Sequence, residues 1–178
     1  MKKNNLLLVA GSGRKSGKTT IICRIIEQLR GLEITSVKIS PHFHPPSEGL
    51  VHFAGAKGFG IFEETNRDSS KDSSRMLRSG AQKVYYIQTN EENISRAFAK
   101  VYSVIEPGKP VICESPSLIN HLQPGLFLIM ISVEGAGSKN ISHLKSFPHM
   151  SFSYEEIMRT SSLPISFEDG AWKSIKKV

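Results

Sequence analysis

Residues 12–19 read "SGRKSGKT", placed between the apolar run "LLLVA" and a set of isoleucines at helical spacing. A glycine-rich turn can aim its backbone N–H groups inward at a helix N-terminus, where the helix dipole adds positive potential. Such a cradle complements a phosphate chain. The second half of the pattern G-x-x-x-x-G-K-[ST] is intact as Gly17, Lys18 and Thr19. In that arrangement Lys18 reaches the β- and γ-phosphates and the Thr19 hydroxyl ligates Mg²⁺; Gly13, Lys15, Ser16 and Thr20 complete the candidate binding loop. The first glycine is displaced, because Ser12 holds its position with Gly11 and Gly13 on either side. A plain Gly/Ser connector before an ordinary helix is the bland alternative. The strand ahead of the loop and the amphipathic helix behind it argue for phosphate, so the expected ligand is a nucleoside di- or triphosphate, GTP or ATP, with Mg²⁺.

A bound Mg²⁺ needs an acidic residue near the loop, at the end of a buried strand beside the first. Glu114 in "VICES" and Asp72 in "SKDSSRMLRSGA" are the candidates. The expected metal set is therefore Thr19, Asp72 and Glu114, and the expected catalytic set Lys18, Asp72 and Glu114. Each carboxylate also has an ordinary reading, Glu114 as a strand-end surface group and Asp72 as a first-turn helix residue favoured by the dipole. Arg75 and Arg78 follow Asp72 at helical spacing and can fork onto phosphate or carboxylate. His42 and His44 in "SPHFHPP" lack the companion ligands of a zinc site, which leaves phosphate or substrate contact as their more plausible use.

These residues need a scaffold, and the sequence describes one. Residues 6–10, after Asn5, are continuously apolar, as in a strand buried on both faces, and Ile22, Ile25, Ile26 and Leu29 then recur at helical spacing. Further strands are expected over 33–40 and 83–89, and at "PVICES" and "GLFLIMISV". A helix is expected after Asn90, with Ile94, Phe98, Val101 and Ile105 on one face. Two β-like stretches around residues 55–58 suggest a hairpin insert over residues 50–64. Strands alternating with helices predict an α/β fold of P-loop NTPase type, three layers with a mostly parallel sheet and helices on both faces. The tail from about 147 shows a short helical pattern at "SYEEIMRT", a basic end and no clear sheet pattern.

With 178 residues the chain fits one domain. Its longest apolar runs fall short of the roughly 18 residues that a membrane span requires, and the basic start passes into the glycine loop too soon for a signal peptide. Two cysteines, Cys23 and Cys113, sit in apolar segments without metal spacing and read as reduced core residues, which points to the cytoplasm. The net charge of +7 favours anionic partners. The basic residues are scattered and no aromatic-basic recognition pattern accompanies them, so nucleic acid is the weakest expectation.

Three blocks together resemble the MobB family, the molybdopterin-guanine dinucleotide biosynthesis protein B group of P-loop proteins. They are the loop ending in "SGKTT", the segment "VKISPHFH", and "KDSSRMLRSGA" at residues 71–81, the most specific of the three. The likeness covers roughly residues 5–133. It implies a GTP-binding accessory protein, a homodimer with weak GTPase activity, that assists the guanylyltransferase attaching GMP to molybdopterin. By this resemblance Lys38, His42, Asp72, Ser73 and Arg75 join Gly17, Lys18 and Thr19 as site-facing residues. The chain departs from the family at Ile39, where a histidine is usual, and at "CESPS", which keeps Glu114 but lacks the following glycine. The N-K-x-D base-reading motif is absent, and "GSKN" at 137–140 is a poor substitute. An ATP-dependent small-molecule kinase, with an acceptor pocket near His42 and His44 and Asp72 as base, is the alternative expectation.

Overall fold

The computed structural model describes residues 2–13, 15–132 and 140–175. The central strand β1 (Lys2–Gly11) shows why the sheet is covered on both sides. Leu6, Leu8 and Ala10 point into one apolar cluster and Leu7 and Val9 into another, all fully buried. A strand that alternates between two cores has packed layers on both faces. On the Leu7 side lie α1 (Lys18–Gln28), through Ile21, Ile22, Ile25 and Ile26, and α2 (Asp72–Arg78), through Met76 and Leu77. On the Leu6 side lies α3 (Ile94–Tyr102), with Ile94, Ala97, Phe98 and Val101. The helix expected from periodicity after Asn90 is therefore present, entered by a 3-10 turn over Glu91–Asn93 whose last N–H is accepted by the Asn90 side chain.

The remaining strands are β2 (Thr35–Ser40), β3 (Leu50–Ala56), β4 (Phe59–Glu64), β5 (Lys83–Thr89), β6 (Val111–Glu114), β7 (Gln123–Ile131) and β8 (Met150–Ser153). They form one eight-stranded sheet in the order β3-β4-β5-β2-β6-β1-β7-β8. The run from β5 to β8 is parallel, while β3 and β4 are antiparallel. The protein is thus α/β with a mostly parallel central sheet. The hairpin expected at 50–64 exists, and β4 pairs with β5, so it lengthens the main sheet. Its reversal falls at Lys57 and Gly58, where Gly58 takes the positive φ of 90° that the turn requires.

The C-terminal region corrects the sequence expectation. The helix at "SYEEIMRT" is present as α5 (Tyr154–Arg159), started by a reciprocal capping box between Ser153 and Glu156, and a four-residue helix α4 (Ser142–Lys145) precedes it. The absence of a sheet pattern is overturned: β8 extends the sheet beside β7, and β9 (Ile165–Glu168) pairs with β10 (Ala171–Ser174) as a separate hairpin. Four-residue strands carry too few alternations to register as periodicity. Trp172 holds this hairpin in place. Its ring is buried, and Nε1 donates to the Asn5 carbonyl at 2.9 Å and the Val111 carbonyl at 3.1 Å, at the starts of β1 and β6. Both cysteines are buried and unbridged, and no helix among the described residues is long and apolar enough to cross a membrane.

Because Trp172 combines core volume with two donated hydrogen bonds, its variants should rank in order. Trp172→Ala is expected to lower unfolding free energy by about 3–5 kcal/mol. Trp172→Phe, which mainly leaves two carbonyls without their donor, should cost about 1–3 kcal/mol. Urea denaturation checks this: the midpoint should fall in that order at an unchanged m-value.

Candidate functional site

The loop after β1 folds back so tightly that glycine is obligatory at Gly11. A Cβ there would lie 2.6 Å from Ser16 Oγ and 2.9 Å from the Met130 carbonyl. This explains the displaced glycine of the motif. The steric demand falls on Gly11, and Ser12 is free to carry a side chain, which ties the loop to the end of β7. Its N–H donates to the Met130 carbonyl at 3.0 Å, its hydroxyl lies 2.6 Å from the Ser132 hydroxyl, and the Ser132 N–H donates to it at 2.9 Å. Lys15 and Gly17 both have positive φ, 60° and 93°, which turns the chain sharply into α1. Gly17 offers no side chain to the first N–H groups of α1, which lack intrahelical partners. Lys18 arches back over the loop, its Nζ donating to the Gly13 carbonyl at 2.6 Å and Ser16 Oγ at 3.2 Å.

Facing this loop is a ring of polar contacts that joins four elements. From α1, Thr19 Oγ1 donates to Glu114 Oε2 at 3.1 Å. Glu114 ends β6, and the parallel register that sets it beside Val9 of β1 brings it under the loop. Its other oxygen accepts from Lys38 Nζ of β2 at 2.5 Å. The same ammonium reaches Asp72 Oδ2 of α2 at 2.8 Å. Arg75, one turn further along α2, lies 3.7 Å from Asp72 Oδ1 and donates to Thr20 Oγ1 at 3.3 Å, which returns the ring to α1. Thr19, Thr20, Lys38, Asp72, Arg75 and Glu114 are thus brought together. The ordinary reading of Glu114 as an exposed strand end does not hold, since its side chain is only 4% exposed. Asp72 does occupy the first turn of its helix and belongs to the ring as well.

Charge in this ring is balanced locally. Burial disfavours the Lys38 ammonium, but the carboxylates of Glu114 and Asp72 outweigh it, and the pKa of Lys38 is raised. Burial alone would raise Asp72; the Lys38 charge and hydrogen bond, Thr19 and Arg75 together hold it below the ordinary value. The Cys113 thiol, fully buried beside Glu114, is pushed well up chiefly by burial and is inert at neutral pH.

The structure does not draw every expected residue into the site. His42 is exposed, and its partners among the described residues are Ser40 and the His44 ring, 6.1 Å away. Arg78 Nη1 donates to the carbonyls of Arg67 and Ser69 and fastens the segment before α2. No group of three or more metal-ligating side chains occurs among the described residues. Thr19, Glu114 and Asp72 instead offer one hydroxyl and two carboxylates, a set that fits Mg²⁺, which takes few protein oxygens and completes its shell with water and phosphate. The "GSKN" segment lies outside the described residues apart from Asn140. The stitch from Ser12 to Ser132 and the closure from Arg75 to Thr20 went unread in the sequence, because both join segments whose approach only the sheet order reveals.

Beyond Lys38 and Asp72, away from the glycine-rich loop after β1, lies a cleft of about 490 Å³ that also takes in His44, Leu50 and Tyr86. Compared with protein-family models, curated proteins and solved structures, the chain matches none significantly.

Lys38 is 18% exposed and Glu114 4%, so removing the ammonium strands a buried carboxylate. Lys38→Met is expected to destabilise the protein by about 3 kcal/mol near neutral pH, the low end for a broken buried pair because Lys38 keeps some solvent contact. Adding Glu114→Gln should recover part of that loss. The raised Lys38 contributes stability that is full below the ordinary lysine pKa of about 10.4 and is lost as pH rises through its folded value. The depressed Asp72 contributes stability present above about 3.9 and lost as pH falls through its folded value. The gap between wild type and Lys38→Met, followed by chemical denaturation against pH, should therefore be widest between those limits and shrink in acid.

Proposed function

We propose that the protein is a P-loop nucleotide-binding protein that takes a nucleoside triphosphate with Mg²⁺ on residues 13–20, and that it serves as a GTP-binding accessory protein of molybdopterin guanine dinucleotide synthesis. The observation that carries the nucleotide reading is the bond from Thr19 Oγ1 to Glu114 Oε2 at 3.1 Å. It couples the hydroxyl of the G-K-T motif to a buried carboxylate on the strand next to β1, the pairing a Mg·nucleotide requires. The three sequence blocks that resemble the MobB family support the narrower role, with GTP as nucleotide and a molybdopterin guanylyltransferase as partner of a homodimer.

Within this reading each residue has a defined task. Lys18 exchanges the Gly13 carbonyl for phosphate oxygens, and the N–H groups at the start of α1 receive the phosphate chain. Thr19 and Glu114, with Asp72 beside them, would hold Mg²⁺, which would neutralise charge on the phosphates. Lys38 keeps the two carboxylates from repelling one another and fixes which oxygen of each faces the loop. Asp72, bound to an ammonium and depressed in pKa, is a weak general base. Slow hydrolysis or simple occupancy follows more naturally from that than fast turnover. A second reading, an ATP-dependent small-molecule kinase, is favoured by the cleft that adjoins Asp72.

Calorimetric titration with Mg·GTP and Mg·ATP tests these readings. Lys18→Ala should weaken binding about 10- to 100-fold, the worth of one or two charge-assisted hydrogen bonds. Thr19→Ala should abolish the Mg²⁺ dependence. Selectivity for GTP with slow turnover supports the accessory role; preference for ATP, with turnover stimulated by a metabolite, supports the kinase. If neither nucleotide binds, both readings are rejected.

A further inference from the structure

The cleft beside Lys38 and Asp72 lies above β2 and β5 at the carboxyl end of the sheet, the end at which the phosphate loop also opens. Its walls are fastened at three points. His44 and Gln88 exchange two hydrogen bonds, from the His44 N–H to Gln88 Oε1 at 3.3 Å and from Gln88 Nε2 to the His44 carbonyl at 2.9 Å. Ser73 Oγ donates at 2.6 Å to Glu64, which is buried at the end of β4. The Thr65 N–H donates at 2.8 Å to the Gly49 carbonyl, closing the base of the hairpin. The cleft is therefore a formed concavity, and its size suits a small organic molecule.

Its lining selects the chemistry. Lys71, Tyr86 and Ser47 present an ammonium and two hydroxyls, while Pro45 and Leu50 offer apolar surface. Ser47 Oγ is shielded from solvent and finds no hydrogen-bond partner among the described residues, which leaves its hydroxyl open to a ligand or a water. The carboxylate in the wall, Asp72, is already engaged by Lys38 and Arg75 and so repels an anion weakly. A smaller cavity of about 170 Å³ also has lysines and hydroxyls in its wall, but two carboxylates, Glu33 and Glu106, line it with them and already pair its Lys109.

We propose that this cleft is a second ligand site, for a small organic anion that carries a carboxylate or phosphate beside an apolar ring or chain. It shares the Lys38 and Asp72 wall with the phosphate loop, and its description as the second site rests on the nucleotide reading of that loop. The hairpin of β3 and β4 then has a role: its Leu50 lines the cleft, and its Glu64 holds Ser73 of the cleft wall in place.

The test is a ¹⁵N-resolved NMR titration with phenyl phosphate, and with benzylamine as the cationic counterpart. It would be run on the wild type, on Lys18→Ala, and on a Lys71→Ala/Tyr86→Phe double variant, each with and without saturating Mg·GTP. Phenyl phosphate should shift the amides of Ser47, Lys71, Tyr86 and Gln88 equally in the wild type and Lys18→Ala, with or without nucleotide. The double variant should weaken that response about fivefold or more, and benzylamine should leave the cleft unmoved. Shifts confined to residues 13–20 that vanish in Lys18→Ala, an equal response to benzylamine, or a silent cleft overturn the inference. Nucleotide binding with a silent cleft defeats this inference alone. A responsive cleft without nucleotide binding defeats the reading of the phosphate loop and leaves the anion site standing.

Discussion

Two carboxylates held near one another at the edge of a core repel, and neither can be stripped of water without a counter-charge. Asp72 and Glu114 satisfy that constraint through a single ammonium, Lys38, within 2.8 Å of both. The arrangement depends on the sheet order. Because β2 lies between β5 and β6, and β6 beside β1, a lysine near the end of β2 faces Glu114 across one strand spacing, and α2 drops Asp72 onto it from above. Moving any of these strands would leave a buried charge unpaired. Topology and electrostatics therefore enforce one another here, and the start of α1 is tied to both, through Thr19 on one side and Thr20 on the other.

Much of this was open to reading in the sequence because each element carries its own signal. The apolar run into a glycine loop, the isoleucines of α1 and the face of α3 are local patterns whose physics does not wait for tertiary contacts. Glu114 was identifiable for the same reason: it ends a strand buried along its whole length. Other features have no local signature. Ser12 looked like a defect in the motif until its hydroxyl met Ser132. Strands β8, β9 and β10 are too short to show alternation, and they are fixed by long-range contacts: β8 by its pairing with β7, and the β9–β10 hairpin by the bonds of Trp172 to Asn5 and Val111. His42 shared a segment with residues that do enter the site, and only its exposure separates it from them.

The cations of the site all have partners within the chain. Lys18 bonds the Gly13 carbonyl, Lys38 bridges two carboxylates, and Arg75 is divided between Asp72 and Thr20. On the nucleotide reading proposed above, a phosphate chain would have to compete for Lys18, and the net gain would be the difference between two charge-assisted contacts, not the full strength of either. Competition of this kind keeps the loop closed on itself and its shape defined, which lowers the ordering cost of binding. Lys38 is the harder cation to recruit, because withdrawing it would expose two carboxylates to one another. Its two contacts hold the acidic side of the site rigid, whatever partner Lys18 takes. The wall that Lys38 and Asp72 form between the loop and the cleft is for the same reason a fixed boundary: a ligand on one side meets it with its charges already balanced.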